Sequence, residues 1–244
     1  TDTMEIDEKV LQRLNTDYSK FIWNFCVEAR IPLVYASSAA VYGEGTLGYR
    51  DDIETEHLYP LNEYGWSKLD FDAFALNEER TPPHWLGLRF FNVYGNHEKH
   101  KGRMASVVWH LYNQIKETGE AKLFKSHRED ILHGYQMRDF ISVEDVVGVL
   151  FMLKNVMHSM DSGIYNLGTG KARTYNELAQ AIFKSLDLPE NISYIDTPEE
   201  IRDGYQYYTE ADMRRFHKEF GYYNFLSLED GIGLYIKQLE YENR

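Results

Sequence analysis

A single cysteine, Cys26, has no partner within the chain for a disulfide, and one thiol is too few for a cysteine-rich zinc site. Prolines number six and glycines 17 in 244 residues, and no tract is low in complexity, so global disorder is excluded. Basic residues are scarce, with 26 Lys and Arg against 39 Asp and Glu and a formal net charge of −13. Such a chain repels nucleic acid and anionic membrane as a whole, while leaving room for a local basic pocket that takes a phosphorylated small molecule. Long apolar runs are missing, and the first residues are not a signal peptide. These absences predict a soluble cytoplasmic globular protein with neither a membrane nor a nucleic-acid partner. The last absence concerns the opening, "TDTMEIDEKVLQRLN", which holds neither an initial strand nor a glycine-rich phosphate loop.

What is present is a large apolar complement, 43% of residues, enough for one sizeable core or two unequal lobes. Residues 5–30 read as a helix on the spacing of Val10, Leu11, Leu14, Tyr18, Phe21, Ile22 and Phe25. "IPLVYASS" reads as a buried parallel strand. A helix starts near Asn62, "HWLGLRFFNVYG" reads as a second buried strand, and "MASVVWHLYNQIKETG" as a helix stopped by Gly119. This alternation argues for an α/β parallel sheet with helices on its faces. Further on, Ser142/Asp145, Thr174/Glu177, Thr209/Asp212 and Ser227/Asp230 have capping-box spacing. Short strands are expected at 122–124, 138–142, 163–168 and 192–196. A sheet that opens on a helix is odd, and predicts that strands of the fold precede residue 1.

Two strings imitate functional motifs. "GEGTLG", Gly43–Gly48, matches G-x-G-x-x-G after a strand, but the acidic "YRDDIETEHLYP" follows where a helix N-terminus has to meet the pyrophosphate. It reads as a surface loop, and "GTGK" at 168–171 as a connector. "HEKH", His97–His100, has its histidines three apart in a loop rather than four apart on a helix, so no metal site is expected.

"EYGWSK" places Tyr64 and Lys68 four apart on one helix face. A phenol titrates near ~10, so work near neutrality needs a field that lowers it, and a Lys one turn away is a suitable source. Ser38, at the end of a strand, is placed to bond the same substrate oxygen. Alone, Y-x-x-x-K is weak, and a half-buried Tyr with a solvated Lys is the plain alternative. Four ordered stretches strengthen it: "YASSAAVYG", "YGWSK", "LRFFNVYG" and "RDFISVEDV".

In that order the stretches resemble the extended short-chain dehydrogenase/reductase family of nucleotide-sugar epimerases and dehydratases. "NHEKHKGRMASVVWHL", "NTDYSKFIWNFCVEARIPLVYASSAAVYG" and "GIYNLGTGKARTYNELA" narrow the resemblance to its branch acting on ADP-linked heptoses, over nearly the whole chain. The resemblance implies a Rossmann-like doubly wound parallel sheet, its first strands missing, with a smaller α/β substrate-binding lobe. Residues 1–100 would be the later part of a NADP-binding domain. Residues 101–244 would be mainly the substrate lobe, interleaved with Rossmann elements around 138–168. It implies that the glycine loop precedes residue 1 and that this span alone is inactive.

The implied activity is inversion at C6 of an ADP-heptose through transient oxidation with tightly held NADP, in a homo-oligomer. By position, Tyr64 and Lys101 would be the two acid/bases, with Ser38 beside them. Lys68, Asn15, Val93 and Lys101 would contact the cofactor. Ser38, Asn92, Arg103, His110, Phe124, Lys125, Ser126, His127, Arg138 and Tyr205 would contact substrate. Arg103 stands where the family commonly has Ser, and the 125–137 segment carries an insertion that blurs the alignment of Lys125 to His127. Two alternatives stay open: another epimerase or dehydratase of the family acting on UDP-hexoses, or a non-catalytic nucleotide-binding protein on the same fold.

Overall fold

The computed structural model describes residues 7–202 and 204–242. The expected helix start at residue 5 and Asp203 of "DGYQ" lie outside those residues. In chain order, α1 (Glu8–Leu11), a π-helical turn (Gln12–Asp17) and α2 (Tyr18–Ala29) form one helical run. Then follow β1 (Leu33–Ser38), α3 (Glu63–Asn77), β2 (Trp85–Phe90), β3 (Asn92–Tyr94), α4 (Val107–Thr118), β4 (Ala121–Phe124), β5 (Met137–Ser142) and α5 (Val143–Val156). The chain finishes with β6 (Gly163–Leu167), β7 (Ala172–Thr174), α6 (Tyr175–Ser185), β8 (Ile192–Ile195), α7 (Glu199–Arg202), α8 (Arg214–Phe220) and α9 (Leu228–Glu242). Among the described residues no helix is long and apolar enough to cross a membrane.

The chain forms two compact units, each built from several stretches. The first comprises the described residues through Phe91, with Leu150–Leu167 and Ala211–Tyr223. Its sheet is parallel, in the order β1-β2-β6. Central β2 is buried almost throughout, whereas β1 at the edge is only half-buried, less than its apolar sequence leads one to expect. Gly87 of β2 makes room for the Tyr35 ring: a Cβ there would stand 2.4 Å from it. The apolar core joins Trp23 of α2, Phe71 and Ala75 of α3, Trp85 and Ile164. The Trp23 indole N–H donates to the Arg80 carbonyl at 3.0 Å.

The first helical run forms as its spacing predicts, but its apolar residues divide between two faces. Leu11, Trp23 and Cys26 are buried, but Leu14, Tyr18, Phe21 and Phe25 line up on an exposed face. The helix has two apolar stripes, and within this chain only one of them packs inward. Periodicity finds apolar positions but does not say which stripe meets the sheet.

A polar centre lies deep in the same unit. Asp72 of α3 accepts from Tyr35 Oη (3.0 Å), Ser37 Oγ (2.9 Å) and Arg89 Nε (2.9 Å). Arg89 also donates to Tyr42 Oη (3.1 Å), whose hydroxyl donates to Asn166 Oδ1 (2.6 Å). Asn166 in turn donates its backbone N–H to Asp51 and its side-chain amide to the Tyr49 carbonyl. The loop after β1 is therefore anchored at Tyr49 and Asp51. Its glycines Gly43, Gly45 and Gly48 have positive φ and no helix follows "GEGTLG" directly, so it forms turns and not a phosphate cradle.

The second unit comprises Asn92–Val149, Gly168–Glu210 and the described part of the chain from Asn224. The stretch expected as one strand at 84–95 is two: β2 ends at Phe90, and β3 pairs with β5 in another sheet, ordered β3-β5-β7. Short β7, too small to read from pattern, pairs antiparallel with β5. β4 and β8 form a separate parallel pair. Helices α4, α6 and α9 share an apolar core that includes Leu111, Ile115, Ile182, Phe183, Ile232 and Ile236. Ser106 caps α4, and Gly119 at φ 70° ends it in the left-handed conformation that glycine adopts without strain.

Thr174 and Glu177 form the expected capping box, and Ser227 accepts from Asp230 N at the start of α9. The other two pairs are not capping boxes. Asp145 accepts from Leu226 N, and Ser142 accepts from Glu144 N. Thr209 lies in an extended stretch, and Asp212 itself accepts from Arg214 N at the start of α8.

The Arg89–Asp72 pair sets a stability test. Arg89 is 1% exposed and Asp72 0%. Removing one member of a buried pair leaves an uncompensated charge, at a cost of ~3–5 kcal/mol. Arg89→Leu is expected to lose that amount in urea unfolding, and Arg89→Leu with Asp72→Leu to recover part of it. Equal losses in the single and double variants would show that the pair is not a unit.

Candidate functional site

Ser38 ends β1, and its hydroxyl accepts from Ala40 N at 3.1 Å, turning the chain into the one-turn 3₁₀ helix Ala39–Tyr42. Asn62 caps α3, accepting from Gly65 N at 2.8 Å, so Tyr64 falls in the helix's first turn. Gly65 lets that turn approach β1 closely. A Cβ on it would lie 2.7 Å from Pro60 Cβ and 3.0 Å from the Ala40 carbonyl oxygen. As a result the Tyr64 phenol lies near the Ser38 hydroxyl, which acts on its titration. One turn on, Lys68 donates to the Ala36 carbonyl at 3.0 Å, its ammonium 5.8 Å from the Tyr64 ring centre.

Ser67 ties the helical run to this cluster. Its hydroxyl donates to the Tyr64 carbonyl (2.8 Å) and accepts from Asn15 Nδ2 (2.9 Å), while its own carbonyl accepts from Thr16 Oγ1. Asn15 and Thr16 lie in the π-helical turn, an irregularity that often marks functional positions. The first unit therefore brings together Ser38, Tyr64, Lys68 and Asn15.

The electrostatics differ from expectation in one respect. Burial, the larger effect, raises the Tyr64 phenol above its ordinary range, and the nearby Ser38 hydroxyl opposes it. Burial likewise lowers the pKa of Lys68, with Asp72 partly restoring it. A desolvated ammonium that spends one of its N–H donors on a strand carbonyl keeps the others for a ligand. Placed at the carboxyl end of a parallel strand, it fits a ribose of a dinucleotide.

The second unit holds the remaining sequence-derived candidates. Asn92 is exposed and Val93 half-buried on β3. Lys101 and Arg103 are exposed on the 3₁₀ stretch Lys99–Met104. The His110 ring donates Nε2–H to the Arg103 carbonyl at 3.3 Å. Glu98 of "HEKH" is buried and accepts from Ser106 N, Ser106 Oγ and Tyr235 Oη, so it braces this stretch from inside.

His110, Phe124 and Tyr205 line one pocket of about 400 Å³, with Leu111, Gln136 and Tyr175 among its other walls. Lys125 instead pairs with Asp196 at the surface (3.1 Å), and Ser126 and His127 line a separate, shallow depression. Arg138 is 6% exposed, lies over the rings of Tyr205 (5.3 Å) and Tyr175 (5.9 Å), and donates to its neighbour's carbonyl. It has no carboxylate partner among the described residues, because Asp139 is occupied by Thr169 and Gly170. A buried guanidinium without a counter-ion next to an apolar pocket is a place for a phosphate group. Sequence reasoning missed Gly65, Ser67, Tyr175 and Gln136. Only the glycine inside a Y-x-x-x-K helix could have been singled out, as a position of close approach.

A parallel sheet flanked by helices, with Ser38, Tyr64 and Lys68 gathered near a strand end, is a Rossmann-type arrangement, and over residues 2–168 the sequence matches the NAD dependent epimerase/dehydratase family. The chain belongs to that family. It is 46% identical to a Fusobacterium nucleatum protein named ADP-L-glycero-D-manno-heptose-6-epimerase, over 96% of this chain and 73% of that protein. A protein of the same name from Nitratidesulfovibrio vulgaris is 44% identical over 97% of this chain and 72% of its own. The crystal structure of Helicobacter pylori ADP-L-glycero-D-manno-heptose-6-epimerase superposes with a TM-score of 0.81 at 29% identity, covering 98% of this chain and 69% of that one.

Gly65 tests how the cluster is positioned. Gly65→Ala is expected to push the first turn of α3 off the Ala39–Tyr42 turn and separate Tyr64 from Ser38. A shift of about 1 Å can cost about a hundredfold in turnover. The expected result is a large fall in kcat with the far-ultraviolet circular dichroism of the fold retained. A wild-type kcat would show that the close approach is dispensable.

Proposed function

We propose that this protein inverts C6 of the heptose in ADP-glycero-manno-heptose, a step supplying lipopolysaccharide inner-core precursors. The observation that carries the chemistry is the proximity of Ser38 and Tyr64 with the Lys68 ammonium 5.8 Å from the Tyr64 ring centre. The relatives' names supply the substrate, and the Arg138 guanidinium, without a carboxylate partner among the described residues, supports a diphosphate in the second unit.

The dinucleotide in this reading is NADP, contacted by Lys68, Asn15, Val93 and Lys101. When bound, it supplies a hydride acceptor in one half-reaction and a hydride donor in the other. Tyr64 Oη takes the proton of the C6 hydroxyl as the carbinol becomes a carbonyl, and the Ser38 hydroxyl holds the same oxygen. The carbonyl intermediate turns to present its other face. Lys101 delivers a proton to its oxygen as the C–H bond re-forms, and exchange with solvent then removes the proton from Tyr64 and restores the one on Lys101, so the hydride is returned and nothing is consumed. Lys68 holds the ribose and adds positive charge beside the phenol. Asn92, Arg103 and His110 contact the sugar and its linkage, and Arg138 the diphosphate. Phe124, Lys125, Ser126, His127 and Tyr205 take the nucleotide side. Self-association belongs to the same reading, supported by the exposed row Leu14, Tyr18, Phe21 and Phe25.

The test is conversion of one C6 epimer of ADP-heptose into the other, followed by proton NMR, with the protein as its gene encodes it. Tyr64→Phe and Lys101→Met are each expected to slow conversion by about 10²–10⁴-fold, the range for general acid–base groups. A wild-type rate for Lys101→Met would remove the second acid/base. Preferential turnover of UDP-hexoses would replace the substrate assignment.

A further inference from the structure

Ser67 joins two elements of the first unit. It is buried, 5% exposed, on α3 between Tyr64 and Lys68. Its carbonyl accepts from Thr16 Oγ1 at 3.2 Å, and its hydroxyl meets both the Tyr64 carbonyl (2.8 Å) and the Asn15 carboxamide (2.9 Å). Two adjacent residues of the π-helical turn thus close on one residue of α3, and Thr16 is buried in the seam.

The direction of these bonds follows from chemistry. A hydroxyl has one proton, and a backbone carbonyl can only accept. The Ser67 proton therefore goes to Tyr64, and the Ser67 oxygen receives a bond from Asn15. Only the amide nitrogen of Asn15 can give it, so Oδ1 is the end turned away from Ser67. Asn15 is half-buried, and its oxygen is not one of the sealed, unpaired acceptors among the described residues, which are Asn96 Oδ1 and Gln136 Oε1. Oδ1 thus opens to solvent with its acceptor capacity intact. The Ser67 bond is the one side-chain hydrogen bond of Asn15 among the described residues, so it alone decides which end of the carboxamide faces outward.

We infer that Ser67 is a positioning residue for dinucleotide binding: its hydroxyl holds the Asn15 carboxamide with Oδ1 outward, to accept from a hydroxyl or amide donor of the dinucleotide. The inference rests on the reading above that Asn15 contacts the dinucleotide, and it names the group that orients that contact. Ser67 itself touches neither substrate nor dinucleotide and moves no proton. Its contribution is preorganisation, because an acceptor already aimed loses no rotamer freedom when the ligand arrives.

Fluorescence titration with NADPH tests this, on the full chain that the gene encodes, freed of nucleotide, as wild type, Asn15→Ala, Ser67→Ala and the double variant. Asn15→Ala is expected to weaken binding about tenfold, equivalent to one hydrogen bond. Ser67→Ala is expected to weaken it about fivefold, and the double variant to bind no more weakly than Asn15→Ala alone, because Ser67 acts only through Asn15. Urea unfolding of the same proteins separates out a packing role, which would lower the midpoint and leave the affinity of the folded protein at the wild-type value. Wild-type affinity in Ser67→Ala, or losses that multiply in the double variant, overturns the role of Ser67 while the Asn15 contact stands. Wild-type affinity in Asn15→Ala overturns both.

Discussion

The carboxylate of Asp72 is the point on which the first unit depends. It sits on the buried face of α3 and accepts from two side chains of β1 and one of β2. A buried carboxylate is tolerated only when its lone pairs are filled and a cation stands beside it, and Tyr35, Ser37 and Arg89 meet both needs. The consequence is geometric. α3 cannot slide along β1 without breaking three hydrogen bonds to a desolvated charge. Tyr64, two turns before Asp72 on that helix, is therefore held at the strand end where Ser38 lies. The close approach at Gly65 completes the alignment, and Ser67 extends it to the π-helical turn at Asn15.

Among the described residues two arginines are deeply buried, and their partners differ. Arg89 is satisfied by Asp72 and Tyr42, so it is part of the scaffold. Arg138 is almost as buried, but among the described residues it meets ring faces and one backbone carbonyl, since the adjacent Asp139 is taken up by the Thr169–Gly170 turn. A similar contrast holds for the carboxamides: Asn166 uses both its oxygen and its nitrogen inside the protein, and Gln136, among the described residues, only its nitrogen.

Much of the architecture was legible in the residues. Strands at 33–38, 121–124, 137–142, 163–167 and 192–195 follow short apolar runs, and α3, α4 and α6 follow Asn62, Ser106 and Thr174. The rejection of "GEGTLG" also needed only local chemistry, because acidic residues and no helix follow it. The break between β2 and β3 at Phe91 was not legible. Leu-Arg-Phe-Phe-Asn-Val-Tyr has uniform strand propensity, and the division arises only because the two halves pair with different strands. The exposed row on the first helical run was also invisible, since an apolar residue has the same spacing whether or not anything covers it.

For the site, the sequence by itself determined which chemical groups are available. Tyr64 and Lys68 share a helix face because they are four apart, and Ser38 closes the short run "IPLVYASS" that reads as a strand. Local covalent geometry suffices for those statements. Tertiary structure decided how the groups meet. It brought Ser38 to Tyr64, 26 residues apart, and hydrogen-bonded Lys68 to the Ala36 carbonyl. It gave the phenol a raised pKa through burial and, among the described residues, left Arg138 without a carboxylate. The reason is that desolvation and hydrogen-bond satisfaction depend on neighbours distant in the chain, which no spacing rule encodes.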